Sequence, residues 1–337
     1  MDAATGALKP LAGAPFAAGD GPSAIAADPQ GRLVFVAGDG SVTGARGSNC
    51  TLVHSTILSE TVDRSSGALT RSDNKTLDGV CARAVTVDPA SKDVYIATTR
   101  FGASDGEIEG FAIGAGGSLT PLPGSPLLVN GTATGLAMHP SGKFIYAATD
   151  SGVLVVDRDP LSGALLQAGD FNTAKHKLAL NPAGTFLAAS ELNSNEVSEF
   201  HVDPTTGNIA ATDIRAQAQN PLGVAADPMG KFFAVTEETD TTTFAGGVSM
   251  FLLNDATHEL DKISGSPFSS GLGTVDVAFD PSGAYVYAVN RQDVTASGHG
   301  TVSGFVVDRA SGMLQPVPGT HFATGDFPAS LAVVQPK

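Results

Sequence analysis

The sequence predicts an all-β fold, a seven-bladed β-propeller of four-stranded antiparallel blades, from three observations. A turn of the form Asp/Asn/His-Pro-x-Gly, once closed by Ser, recurs six times along the 337 residues, at intervals of 42 to 60. A second turn, with Ser/Thr-Gly-x-Leu as its commonest form, recurs seven times out of phase with the first. Short β-branched and aromatic runs flank both turns, and no amphipathic helical period of useful length interrupts them. Four short strands per repeat, arranged radially, protect their edges by closing a ring.

The elements follow in order. The first turn reads Asp28-Pro29-Gln30-Gly31, Asp88-Pro89-Ala90-Ser91, His139-Pro140-Ser141-Gly142, Asn181-Pro182-Ala183-Gly184, Asp227-Pro228-Met229-Gly230 and Asp280-Pro281-Ser282-Gly283. Proline presets φ, Asp or Asn caps the turn, and glycine tolerates positive φ at its end. An inner strand such as Val275–Phe279 precedes the turn, and a second strand such as Tyr285–Val289 follows it. A third strand, as in Val197–Val202 and Val302–Val307, leads into turns such as Ser162-Gly163-Ala164-Leu165 and Ser311-Gly312-Met313-Leu314, and an outer strand follows. Gln335-Pro336 reads as a truncated seventh copy of the first turn. Residues 1–337 are expected to form a single domain. Its closing blade takes an inner strand from Ser330–Val334 and an outer strand from Ala7–Leu11, and lacks the middle two. The native chain is therefore expected to begin earlier, rather than this blade to be reduced.

Composition excludes several classes. A formal net charge of −15 argues against nucleic acid or an anionic membrane as partner. No apolar run is long enough for a transmembrane span, and the start lacks the pattern of a signal peptide. No phosphate-cradling loop, hydrolase elbow or histidine pair at metal-ligand spacing occurs, so no cofactor or metal is expected. Cys50 and Cys81 fall in loops expected on one face of neighbouring blades. A disulfide between them would favour an oxidising, extracytoplasmic compartment over the cytoplasm. The Asn-x-Thr triplets at Asn49, Asn74 and Asn130 matter only in a secreted eukaryotic protein.

The hairpin Pro140–Ala148 and the unit Val302–Leu314 resemble those of the lactonase family of seven-bladed propellers, which includes 6-phosphogluconolactonases and carboxymuconate-lactonizing enzymes. The loops Gly13–Phe16 and Gly265–Phe268 are similar to loops of that family's extracytoplasmic bacterial members. The resemblance covers essentially the whole chain. It implies hydrolysis or formation of a small anionic lactone, such as a sugar-acid lactone. The alternative is a non-catalytic extracytoplasmic binding or scaffold propeller, since one fold hosts both. The family's Pro-Arg-His followed by Asn-Glu-Leu-Asn is matched here by Lys175-His176-Lys177 and Ser190-Glu191-Leu192-Asn193. A one-residue gap would instead set His176 on the family's His, and the family's His of the preceding blade falls on Thr134.

A propeller gathers inner-strand starts and second-strand ends on one face. The first set gives Arg83, Thr134, Lys175, His176, Lys177 and Asp276; the second gives Asp39, Thr99, Arg100, Asp150, Glu191, Glu237, Glu238, Asn290 and Arg291. Basic groups on an acidic chain there suit a small anionic substrate. Glu191 or His176 is expected to activate water, with Arg83 stabilising the oxyanion. Arg100, Arg291, Lys175, Lys177 and Glu237 are expected to bind substrate. Glu237 and Glu238 are neighbours on a strand and point apart, so a shared site needs a bulge. The protein is expected to be a monomer.

Overall fold

The computed structural model describes residues 1–40, 54–171, 175–191, 194–240, 243, 245–254, 256–292 and 299–334. The fold is all-β, as the repeats predict; a single 3₁₀ turn, Ala115–Gly117, is the one helical element among the described residues. Among the described residues no helix is long and apolar enough to cross a membrane. Two compact units divide the chain, one chiefly Pro10–His176 and the other Met1–Lys9, Lys177–Pro204 and Ile209–Val333.

The first unit holds three antiparallel sheets. They are β1 (Pro22–Ala27) to β4 (Leu69–Asp78), with β2 (Leu33–Gly38) and β3 (His54–Val62) between; β5 (Val80–Val87), β6 (Asp93–Arg100), β7 (Gly106–Ile113) and β8 (Leu119–Pro121), with β9 (Leu127–Val129) also on β7; and β10 (Ala133–Met138), β11 (Phe144–Thr149), β12 (Val153–Arg158) and β13 (Leu165–Phe171). The second unit starts with β14 (Leu178–Leu180), β15 (Phe186–Glu191), β16 (Glu196–Val202) and β17 (Ile209–Gln217). It continues with β18 (Val224–Ala226), β19 (Phe232–Asp240), β20 (Ala245–Leu253), β21 (Leu260–Lys262), β22 (Phe268–Phe279), β23 (Tyr285–Gln292), β24 (His299–Val307), β25 (Leu314–Pro316) and β26 (Phe322–Asp326). Strand β22 serves two repeats. Its first half pairs with β20 as an outer strand, and its second half pairs with β23 as an inner one.

Second strands are buried on both faces; β2, β11 and β15 are buried throughout. Within each unit, consecutive sheets therefore pack face to face. Phe35, Ala37 and Ile57 meet Val80, Val94 and Ile96, and Tyr95, Ala97 and Ile108 meet Ile145, Leu154 and Val156. In the second unit Phe186, Ala188 and Val197 meet Phe233, Val235 and Phe251, and Phe232, Val248 and Met250 meet Val286 and Phe305. Each buried aromatic contributes roughly 2–3 kcal/mol of transfer free energy.

Both turns are explained by hydrogen bonds. The turn carboxylate of Asp28 accepts from the amides of Arg32 and Leu33, at 2.6 and 2.9 Å, and Asn181 accepts likewise from Thr185 and Phe186. The glycine of the second turn is latched by a tyrosine of the preceding repeat. Tyr95 donates to Gly163 O at 2.8 Å, Tyr146 to Gly207 O at 2.9 Å and Tyr287 to Gly6 O at 2.6 Å. These three glycines have φ of 73°, 72° and 72°. A Cβ on Gly207 would also lie 2.4 Å from the Phe144 ring, so both backbone and space require glycine.

An arginine braces neighbouring repeats twice. Buried Arg158 pairs with Asp93 and Asp88 and donates to Tyr95 Oη at 2.7 Å and Gly142 O at 2.8 Å. Arg309 does the same with Asp227 at 2.6 Å and Gly283 O at 3.0 Å. Where the sequence sets an incomplete closing blade, Ala7–Leu11 and Ser330–Val334 form no strand. A segment without ladder partners has no hydrogen-bond pattern to extend. Leu8, Leu331 and Val333 still pack on Tyr285, Tyr287 and Val317.

Arg158→Met should leave two buried carboxylates unpaired and cost about 3–5 kcal/mol in urea unfolding. Tyr146→Phe should cost only about 1 kcal/mol, the net value of one latch.

Candidate functional site

A β-bulge recurs at the start of the inner strands. The register shifts between Pro22 and Ala24, between Ala82 and Ala84, between Ala133 and Gly135, and between Thr274 and Asp276. The extra residues are Ser23, Arg83, Thr134 and Val275. A bulge re-aims its side chain out of the ladder. Ser23 Oγ reaches the next inner strand, donating to Ala82 O at 2.8 Å. Thr134 Oγ1 donates to His176 O at 3.0 Å.

In the first unit this bulge sets out Arg83 beside Asp39, with 3.8 Å between charged atoms and side chains only 19% and 12% exposed. Lys175 is buried and its amide donates to Thr149 O at 2.8 Å. The Lys175–His176 backbone is thus held by Thr149 on one side and Thr134 on the other. Arg100 turns to Asp105 and Glu107, at 3.4 and 3.1 Å, so its charge is neutralised locally. Burial and the nearby Glu107 and Asp78 push the Glu109 carboxyl up to about 7.

In the second unit Lys177 and Ser190 exchange backbone and side-chain bonds, and Ser190 Oγ donates to Leu222 O at 2.8 Å. Glu191 is 6% exposed. It accepts from Ser194 Oγ at 2.8 Å, from Ser198 Oγ and from the Arg215 guanidinium. Its carboxylate is therefore a strut across β15, β16 and β17. Glu237 accepts from Lys262 Nζ at 2.8 Å. Asp276 accepts from Ser330 Oγ at 2.6 Å and Leu331 N at 3.1 Å. Asn290 sits in a buried network with Thr274, Thr301 and Ser303.

Arg291 differs from the other cations. Its Nε is buried without a hydrogen-bond partner among the described residues. Desolvation lowers its pKa, opposed by the charge of Glu238. Arg215 and Lys262 escaped the sequence reading because they lie on outer strands; only the registers opposite Ser198 and Phe251 bring them in. Leu192 and Asn193 of the Glu-Leu-Asn motif lie outside the described residues, as do Asn49 and Cys50. Cys81 is buried in β5 and disulfide-bonded. Among the described residues no group of three or more His, Cys, Asp or Glu is arranged to hold a metal.

One further carboxyl is perturbed. Glu199 is 1% exposed; Oε2 accepts from Leu260 N at 3.1 Å and Oε1 has no partner among the described residues. Burial raises it to about 7.

Comparison with known proteins gives concordant results. The sequence model of the Lactonase family, a 7-bladed β-propeller, matches residues 104–226. A 6-phosphogluconolactonase of Pectobacterium atrosepticum is 24% identical over 186 residues, which are 50% of this chain and 51% of the relative. The match thus spans about half the length of that relative. Among solved structures, a periplasmic gluconolactonase of Pseudomonas aeruginosa aligns with TM-score 0.71 and 17% identity over 90% of this chain and 86% of its own. A Bacteroides uniformis protein, provisionally described as a 6-phosphogluconolactonase, gives 0.71 and 19% over 91% and 87%. Hydrazine synthase of Kuenenia stuttgartiensis gives 0.65 and 17% over 96% and 92%. At these identities the structural likeness concerns the fold alone.

The Glu199 carboxyl has its folded pKa above the unfolded value of 4.5, so its charge disfavours folding above pH 7 and that cost disappears as pH falls through 7 toward 4.5. Glu199→Gln keeps an acceptor for Leu260 and should be more stable than wild type at pH 8 by on the order of 2–3 kcal/mol. The two should converge in unfolding experiments near pH 4.5.

Proposed function

We propose that this chain is a lactonase-like hydrolase, or a lactonizing enzyme, acting on a small anionic lactone such as a sugar-acid lactone. The observation that carries this reading is Arg83, which the inner-strand bulge lifts out of the ladder with its side chain only 19% exposed and 3.8 Å from the Asp39 carboxylate. A guanidinium so placed can hold an anion. In the second unit Arg291 Nε is buried without a hydrogen-bond partner among the described residues, with the charge of Glu238 acting on it. The Lactonase family match and the 6-phosphogluconolactonase relative support the chemistry.

In this proposal water adds to the lactone acyl carbon as the His176 imidazole takes its proton. Arg83, set out by its bulge, stabilises the tetrahedral oxyanion. The ring C–O bond then breaks, and the leaving alkoxide recovers the proton to give a hydroxy acid. Glu191, held by Arg215 and two serines, serves as a strut that fixes its strand end, and Arg100 is neutralised by its own carboxylates. Arg83 is then the anion-binding candidate of the first unit, where Lys175 contributes positive potential; Arg291 and Lys177 belong to the second unit. An extracytoplasmic monomer is part of the same proposal, supported by disulfide-bonded Cys81 and the periplasmic gluconolactonase likeness.

The engagement of Glu191, Glu237 and Arg100 in ion pairs favours a second reading, a non-catalytic binding propeller. One assay separates the two. Hydrolysis of 6-phosphogluconolactone and of gluconolactone is measured against the spontaneous rate. We expect turnover to fall about 100-fold or more in His176→Ala, the usual scale for removing a general base. Arg83→Met should lose kcat/KM. No rate above background, or an unchanged rate in both variants, removes the proposed chemistry.

A further inference from the structure

An open cleft of about 560 Å³ lies in the second unit, with polar side chains of Asn195, Gln217, Gln219, Glu237, Thr239 and Lys262 set among apolar surface that includes Ala218 and Pro267. It lies where the β15–β17 and β19–β21 strands meet. Side-chain alternation explains the wall. Phe233, Val235 and Glu237 share one face of β19, and the first two pack on Phe186 and Val197. Glu237 therefore ends the apolar interface between these two sheets and caps it with a carboxylate.

The cleft has a built polar floor. The Glu237 side chain is 3% exposed and receives Lys262 Nζ on Oε1 at 2.8 Å. Its Oε2 has no hydrogen-bond partner among the described residues, although it is not sealed from solvent. Lys262 Nζ also donates to Gln217 O at 3.2 Å, which fixes the ammonium at the mouth. Exposed amides surround the pair. Asn195 uses its Oδ1 on Asn220 N, and the Gln219 side chain makes no hydrogen bond among the described residues.

We infer that this cleft binds a neutral polyhydroxylated ligand, a sugar of one or two rings. One negative and one positive side chain cancel, so the lining does not select an anion. A pair of adjacent hydroxyls suits the floor: one donates to Glu237 Oε2 and the other accepts from Lys262 Nζ. The Gln219 carboxamide can both donate and accept, as hydroxyls require, while Gln217, whose Nε2 donates to Glu196 Oε1 at 3.4 Å, offers its Oε1 and Asn195 its Nδ2. Pro267 adds a small apolar wall for a ring face. The site is independent of the lactone chemistry proposed above and uses none of Arg83, His176 or Arg291.

The test is saturation-transfer NMR and calorimetry on the full chain with maltose and D-glucose, and with D-gluconate and glycine as charged controls. We expect a neutral sugar to bind. Glu237→Gln should weaken it about tenfold, and Gln219→Ala, an exposed change that leaves the fold intact, should weaken it measurably. Failure of both sugars to bind at millimolar concentration overturns the inference. So does equal binding by both variants, or preference for glycine, which would mark a zwitterion site instead.

Discussion

Everything in this chain depends on second strands that are buried on both faces. An antiparallel sheet with one apolar face is satisfied by a single neighbour. A sheet with two must be covered twice, and that forces consecutive repeats to stack face to face. Phe35, Tyr95, Tyr146, Phe186, Phe233 and Tyr287 are the side chains that meet this demand, each 2% exposed or less. The polar devices serve the same stacking. A tyrosine hydroxyl has to be satisfied once its ring is buried. The left-handed glycine of the next turn offers its carbonyl there, at Gly163, Gly207 and Gly6.

Stacking then decides which polar residues are available for chemistry. A residue just past the apolar stretch of a second strand and its neighbour point to opposite faces of the sheet, and so meet different partners. Ser190 and Glu191 show this. Ser190 bonds Leu222 O, whereas Glu191 bonds Ser198 and Arg215 of its own sheet. Glu237 and Glu238 divide in the same way, one held by Lys262 and the other acting on Arg291. Carboxylates that look free along the sequence are thus largely consumed in ion pairs. In a chain of net charge −15 the scarce cations are largely spent on acids, and Arg291, whose Nε has no hydrogen-bond partner among the described residues, still feels the charge of Glu238.

The inner strands contribute a different constraint. Their bulge lifts one residue out of the ladder at the same place in four repeats, and Ser23, Arg83, Thr134 and Val275 occupy it. Two of the four spend their hydroxyl on neighbouring backbone; Arg83 carries a charge instead. Among these four positions only Arg83 bears a charge, which distinguishes it from the three that hold or pack the sheets.

The sequence by itself determined the fold class, the strand order within each repeat and both turns, because these depend on local pattern: Pro and Gly at fixed offsets, and apolar runs of strand length. It also placed Arg83, Lys175, His176, Glu191 and Arg291 at strand ends. Tertiary structure alone decided what those ends touch. The bulge at Arg83, the Arg215 opposite Ser198 and the Lys262 beside Glu237 all depend on register between strands distant in sequence, which no local pattern records. Tertiary structure likewise decided that Ala7–Leu11 and Ser330–Val334 pack without becoming strands, since a strand requires partners as well as a suitable sequence.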